Sequence, residues 1–352
     1  MKGWMKNIRQ VTPYTPGEQP KRPGIIKLNT NENPYPPSPE VDKALKEMDV
    51  SMLRRYPDPT CQILNDALAQ EYHLRPEQVF TGVGSDDVLA MCFMTFFDGE
   101  QPVLFPDITY NFYEVWAEVL RIPYRKVPLD EHFCIQSRDY AVPNGGVIFA
   151  NPNAPTGQIL DLGTIREILD ANRDSIVIVD EAYIDFGGES ALRFLDEYEN
   201  LVVIQTFSKS RSLAGMRIGA AFASPELIRY LTDVKYSINS YTLNTAALIA
   251  GAASARDRKY FQETVGKIVR TRERVSARLR SLGFIFADSS ANFLFVTHPE
   301  IPAVKLFEAL KEEGIYVRYF RQPRIDNYLR ITIGTDEEMD ALIRFLEGMI
   351  LL

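Results

Sequence analysis

Apolar positions along the chain follow no period up to about residue 40, where prolines are frequent, so this stretch reads as an extended arm. Residues 39–48 then read as a short helix, and within 60–72 Ile63, Leu64, Ala67 and Leu68 recur at helical spacing. From Val79 to about Tyr241 short apolar runs alternate with helical stretches. The runs are 79–80, 102–105, 147–150, 176–179 and 201–204. This alternation predicts an α/β fold whose mostly parallel sheet is covered by helices on both faces. A mostly helical region comes next, from about Ala246 to Leu282, with Gly266 as its weak point. The chain then reads as a strand at 292–296, a helix at 303–313, strands near Tyr316 and Leu329, and a closing helix at 336–349. The division expected is an arm plus part of a small domain over 1–45, a large domain over 46–245 and a small α+β domain over 246–352.

Three of the apolar runs end in polar, chemically capable segments. Val147 to Ala150 leads into Asn151-Pro-Asn-Ala-Pro-Thr-Gly157, Ile176 to Val179 into Asp180-Glu-Ala-Tyr183, and Leu201 to Ile204 into Gln205-Thr-Phe-Ser-Lys-Ser210. Open parallel sheets bind ligands beyond the carboxyl ends of their strands, which is where these polar groups fall. A lysine, an aspartate, an asparagine, a tyrosine and the nearby Arg217 together match the needs of pyridoxal 5'-phosphate. The Lys209 amine is suited to form an imine with the cofactor aldehyde and later to move protons. Asp180 is suited to keep the pyridine nitrogen protonated, and Asn153 and Tyr183 to donate to the ring oxygen. Gly82-Val-Gly-Ser-Asp-Asp87 reads as a strand, a turn and a helix start, so Gly84, Ser85 and Asp86 offer a phosphate site, with Ser208 and Arg217 as side-chain partners. Tyr110 comes after the run at 102–105 and is placed to stack on the ring or to serve as core.

With these segments in order, the chain resembles the fold-type I, pyridoxal-phosphate-dependent aminotransferases over nearly its whole length. Within that class it is most similar to the histidinol-phosphate aminotransferases. The segments 28–35, 55–59, 84–86, 151–157, 180–183, 208–210 with Arg217, 290–293 and 328–334 carry the resemblance. It implies Lys209 as the lysine that binds the cofactor, Asp180 at the pyridine nitrogen, Asn153 and Tyr183 at the ring oxygen, and Tyr110 over the ring. It further implies that Tyr56 reaches the cofactor phosphate of a neighbouring subunit, which makes the expected assembly a homodimer with shared active sites.

Substrate recognition is expected from Arg318 and Arg330, whose guanidinium forks suit both a phosphate and a carboxylate. Asn33 and Tyr35 of the arm are expected to close over the ligand. An exposed strand arginine is the alternative for Arg318. The reaction implied is transfer of an amino group between L-histidinol phosphate and 2-oxoglutarate. An aromatic or broad-specificity aminotransferase and a threonine-phosphate decarboxylase remain as alternatives, and Val83, Ile108 and Pro36, which depart from the family pattern, bear on that choice.

Composition narrows the classes. The 352 residues carry 39 basic and 47 acidic side chains, a formal charge of −8, with no basic cluster, so neither nucleic acid nor an anionic membrane is an expected partner. Cys61, Cys92 and Cys134 are odd in number and lack CxxC spacing, which reads as reduced thiols in a cytoplasm. His73, His132 and His298 are scattered, so no metal is expected. Met1 to Gln10 has no apolar core for a signal peptide, and no apolar run approaches membrane-spanning length.

Overall fold

The computed structural model describes residues 2–350. Its strands are β1 (Ile26–Lys27), β2 (Val79–Val83), β3 (Val103–Pro106), β4 (Tyr124–Val127), β5 (Gly146–Ala150), β6 (Val177–Asp180), β7 (Leu201–Thr206), β8 (Ile218–Ala223), β9 (Phe293–Val296), β10 (Ile315–Tyr316), β11 (Arg318–Tyr319) and β12 (Leu329–Thr332). Its α-helices are α1 (Pro39–Glu47), α2 (Gln62–Tyr72), α3 (Gly84–Phe96), α4 (Phe112–Leu120), α5 (Leu162–Ala171), α6 (Pro225–Ile238), α7 (Thr245–Arg256), α8 (Arg258–Ser281), α9 (Ala303–Glu313) and α10 (Asp336–Ile350).

Seven strands form the main sheet in the order β2-β8-β7-β6-β5-β3-β4. The pairs β4–β3–β5–β6–β7 are all parallel, while β8 runs antiparallel to both β7 and β2. The central strands are apolar throughout because both faces are covered. Val147, Phe149, Val177, Val179, Leu201 and Val203 pack in one cluster with residues of α2, α5 and α7. Their neighbours Ile148, Ile178, Val202 and Ile204 point the other way, onto α3, α4 and α6. Every residue of β5, β6 and β7 is buried.

A second core gathers β9 and β12 with α8, α9 and α10 through Ile268, Val275, Phe293, Leu306, Ile331 and Leu342. The arm is tied to this core by β1, which pairs in parallel with β10. No helix among the described residues is long and apolar enough to cross a membrane.

Two sequence expectations are corrected. The helical region after Ala246 breaks at Asp257 and not at Gly266, which lies inside α8. The Asp257 carboxylate accepts the Tyr260 N–H at 3.2 Å and the Ser38 hydroxyl at 2.5 Å, so it caps a new helix there. Val41 of α1 and Ala247, Leu248, Ala250, Ala252 and Ala255 of α7 all pack in the core of the large sheet. Finally, the strand–helix alternation lapses between β4 and β5, which are joined only by the 3-10 turn Ser137–Tyr140, and again after β6. Only short 3-10 turns, Ile184–Phe186 and Ala191–Phe194, link β6 to β7, and β8 folds straight back on β7.

Candidate active site

The carboxyl ends of β5, β6 and β7 open into a cavity of about 310 Å³, within the size range of small-molecule sites. Eight residues anticipated from the sequence line it: Ser85, Asp86, Tyr110, Asp180, Tyr183, Ser208, Lys209 and Arg217. Lys209 lies just past the end of β7 and Asp180 is the last residue of β6, so the sheet itself sets the two beside one cavity.

Asp180 is buried, and removal from water drives its pKa up to about 6. The Tyr113 hydroxyl, at 2.6 Å, and the Ala182 N–H, at 3.2 Å, oppose that rise by bonding the carboxylate. Tyr113 sits on α4 and is not among the residues expected from the sequence.

The anion end of the cavity is assembled from two distant segments. α3 starts at Gly84 and presents its first turn, with Ser85 and Asp86, next to β8. Arg217 has a left-handed backbone, φ 55°, and its guanidinium donates to Asp86 at 3.2 Å. Two glycines keep this region open. A Cβ on Gly84, whose φ is +84°, would lie 2.5 Å from Arg217 Nη2, and one on Gly219 would lie 2.3 Å from the Ser85 nitrogen. Free N–H groups at a helix start, two hydroxyls and a guanidinium make up the donor set that a phosphate requires. The Tyr110 hydroxyl donates to the other oxygen of Asp86 at 2.7 Å, and its phenol is pushed well above the usual tyrosine range by burial and by that carboxylate.

A smaller cavity of about 150 Å³ adjoins the first and shares Thr30, Tyr110, Ala154, Tyr183 and Lys209 with it. Arg318 and Arg330 line it. Arg330 donates to the Asn29 carbonyl at 3.1 Å, its Nε has no partner among the described residues, and burial lowers its pKa. Phe293 and Phe320 lie under its guanidinium at 5.4 and 5.8 Å. Arg318 is held by the carbonyls of Thr15 and Pro16 at 3.3 and 3.5 Å.

Family resemblance is now measurable. The model of aminotransferase class I and II matches residues 23–346. The chain belongs to that aminotransferase family. The aminotransferase is 52% identical over 344 residues to the histidinol-phosphate aminotransferase of Lactococcus lactis subsp. cremoris, covering 98% of this chain and 97% of the relative. It is 49% identical over 350 residues to that of Acinetobacter baylyi, covering 99% and 97%. Among solved structures, the histidinol-phosphate aminotransferase of Clostridium acetobutylicum superimposes with a TM-score of 0.86 at 24% identity, over 93% of this chain and 99% of the other. The L-threonine-O-3-phosphate decarboxylase of Porphyromonas gingivalis gives 0.79 at 20%, covering 93% and 100%, so the fold alone does not separate the two activities.

Four anticipated residues lie elsewhere in the aminotransferase. Asn153 is buried behind the cavity wall, where its amide donates to the Ile108 carbonyl at 2.9 Å and the Thr156 hydroxyl at 3.1 Å, and its oxygen accepts from Thr109 at 2.8 Å. Both amide hydrogens are thus engaged. Asn31 donates to the Tyr183 phenol at 3.0 Å. Asn33 and Tyr35 line neither cavity. The Asn33 amide is spent on the lysine loop, and Tyr35 packs against the second core with the Lys267 amine 5.1 Å from its ring. Tyr56 is 81% exposed and stacks on Tyr241 at 4.6 Å, away from both cavities of its own chain.

The arm contributes other residues instead. Tyr14 lines the smaller cavity, stacks on Phe112 at 4.3 Å and faces Tyr110 at 6.4 Å. Thr30 and Glu32 line the larger one. Burial pushes the Glu32 carboxyl up, but hydrogen bonds from Lys27 and Thr30 outweigh it and hold the pKa below its usual value. No sequence period marks these positions, although Thr30 and Glu32 lie within the segment 28–35 that carries the family resemblance.

Proposed function

We propose that this aminotransferase uses pyridoxal 5'-phosphate to exchange an amino group between L-histidinol phosphate and 2-oxoglutarate, a reaction of histidine biosynthesis. The observation that carries this reading is the convergence on one cavity of a lysine amine, a buried aspartate and a phosphate-type donor set, with two arginines in the cavity next to it.

In this reading the main-chain N–H groups of Ser85 and Asp86, the Ser208 hydroxyl and Arg217 would hold the cofactor phosphate, Asp180 would face the pyridine nitrogen, Tyr183 the ring oxygen and Tyr110 the ring. The two glycines at the helix start support the fit, since side chains there would fill the cradle. When bound, the cofactor supplies an electron-accepting ring that stabilises negative charge on the substrate's Cα. The residues do the rest. Asp180 would hold a proton at the ring nitrogen, the Lys209 amine would take the proton from the substrate's Cα and deliver it on the cofactor side of the substrate nitrogen, since returning it to Cα would transfer no amino group, and the arginines would orient the anionic end of each substrate. Arg330 already lacks one hydrogen-bond partner, a deficit that a bound oxyanion corrects. One pair of guanidinium groups serves a phosphate in one half-reaction and a carboxylate in the other.

The same reading makes the working unit a homodimer. Tyr56, Val50, Leu53 and Tyr241 form a surface rich in exposed apolar groups, as expected of a face that meets a second copy and lends Tyr56 to its cofactor phosphate. The three free cysteines fit a reaction housed in the cytoplasm.

Steady-state rates with L-histidinol phosphate, phenylalanine, tyrosine and O-phosphothreonine test the assignment. The expected result is the highest kcat/KM for histidinol phosphate with formation of glutamate, and none for the Lys209→Ala variant. Equal rates with phenylalanine or tyrosine would make it a broad aminotransferase, and release of CO2 from phosphothreonine would make it a decarboxylase.

A further inference from the structure

Asn33 lies in the arm, yet its side chain reaches the lysine loop. Its Nδ2 donates to the carbonyls of Lys209 and Ser210 at 3.0 and 3.1 Å, while its Oδ1 accepts the Tyr35 N–H at 3.0 Å. At the far end of Lys209, the amine donates to the Thr30 carbonyl at 3.0 Å. The lysine therefore touches the arm at both its backbone and its tip. Thr30 is itself fixed, since its hydroxyl donates to Glu32 at 2.8 Å and accepts from Lys27 at 2.5 Å. On the opposite side of the loop the Ser210 hydroxyl donates to Asp185 at 2.5 Å.

A lysine side chain is a flexible stem, so the reach of its amine is governed by where its Cα is held. We infer that Asn33 is a positioning residue: it fixes the Lys209 backbone so that the amine alternates between the cofactor and the Thr30 carbonyl, its resting acceptor whenever it is released. The inference rests on Lys209 being the cofactor-bound lysine. Thr30 and Glu32 line the same cavity as Lys209, so the resting position lies within reach of the reacting carbon and the amine need not leave the site. Because that acceptor is main chain, Asn33 is the group through which the arrangement can be altered.

Two variants of the holoenzyme separate this role from simple shaping of the arm. Asn33→Asp keeps the acceptor for the Tyr35 N–H but sets a carboxylate against two carbonyls, whereas Asn33→Ala removes both functions. A clamp on the lysine loop predicts that both variants lose kcat by about 10- to 100-fold, the scale set by misplacing a catalytic group, with KM changed by no more than about twofold. The pH midpoint of the absorbance band of the lysine-bound cofactor is expected to shift in both. An Asp variant with wild-type kcat, or unshifted midpoints in both variants, overturns the inference. If the Ala variant does not fold, the isosteric Asn33→Asp variant alone decides: a loss of kcat with a shifted midpoint supports the clamp, and wild-type kcat or an unshifted midpoint refutes it. Failure of the underlying reading shows separately: borohydride reduction of the wild-type holoenzyme followed by peptide mapping would then place the cofactor on a residue other than Lys209.

Discussion

Asp180→Asn is expected to stabilise the cofactor-free protein while abolishing its reaction. The carboxyl is 3% exposed and its pKa is raised by burial from the ordinary 3.8 to about 6. A folded-state pKa above the unfolded one means that the native protein binds the proton more tightly. Native stability therefore falls as pH rises from about 4 to about 6 and stays reduced above that. The gap corresponds to about 3 kcal/mol, or roughly a 100-fold change in the folding equilibrium, once the carboxylate is ionised. An amide at this position carries no such cost and can still accept the Tyr113 hydroxyl. Urea denaturation of both cofactor-free proteins should give equal stability near about pH 4 and a gap of about 2–3 kcal/mol in favour of the variant near about pH 8. Glu181, raised by burial to about 7, contributes the same trend to both proteins and cancels in the comparison. A variant no more stable than wild type near about pH 8 would refute the reasoning, because it would mean that Tyr113 and Ala182 fully offset the burial.

Two further substitutions probe the ends of the site. Gly84→Ala places a methyl 2.5 Å from Arg217 Nη2 at a φ of +84°, and should weaken pyridoxal phosphate binding by about 10-fold by displacing that cation, at a backbone cost of about 1–2 kcal/mol; equilibrium dialysis reads the first and thermal denaturation the second. Arg330→Lys keeps the charge but loses the fork and the contact over Phe293, so KM for histidinol phosphate should rise about 10- to 100-fold while cofactor affinity holds, as measured by steady-state kinetics and dialysis.

The parts of the site that could be read from the chain are those tied to strand ends. Asp180 and Lys209 come at the ends of apolar runs that can only be buried strands, and the ends of such strands face the ligand. Arg330 lies on β12, and both it and Arg318 reach the smaller cavity. What could not be read depends on direction. Asn33 and Tyr35 share a motif with Thr30 and Glu32, but the arm has no regular period, so nothing in the order of residues tells which side chains turn inward. Tyr113 stands at a core position of an amphipathic helix, and only its hydroxyl, 2.6 Å from Asp180, sets it apart. Asn153 lies just beyond β5 as expected, yet neighbouring main chain and hydroxyls take up its amide. The helix break at Asp257 was hidden for a related reason: a capping aspartate resembles any other polar residue, whereas a glycine attracts notice even where the helix absorbs it.

The edge strand β2 pairs with β8 so that Val83 lies opposite Ile218, bringing the first turn of α3 against Arg217 and Gly219. Between those two strands the chain lays down every other strand of the large sheet, and pairing so remote in sequence is slow to nucleate. On the proposed placement of the coenzyme phosphate, its cradle exists only where β2 and β8 are paired, so capture of the coenzyme would report that this long-range pairing has formed.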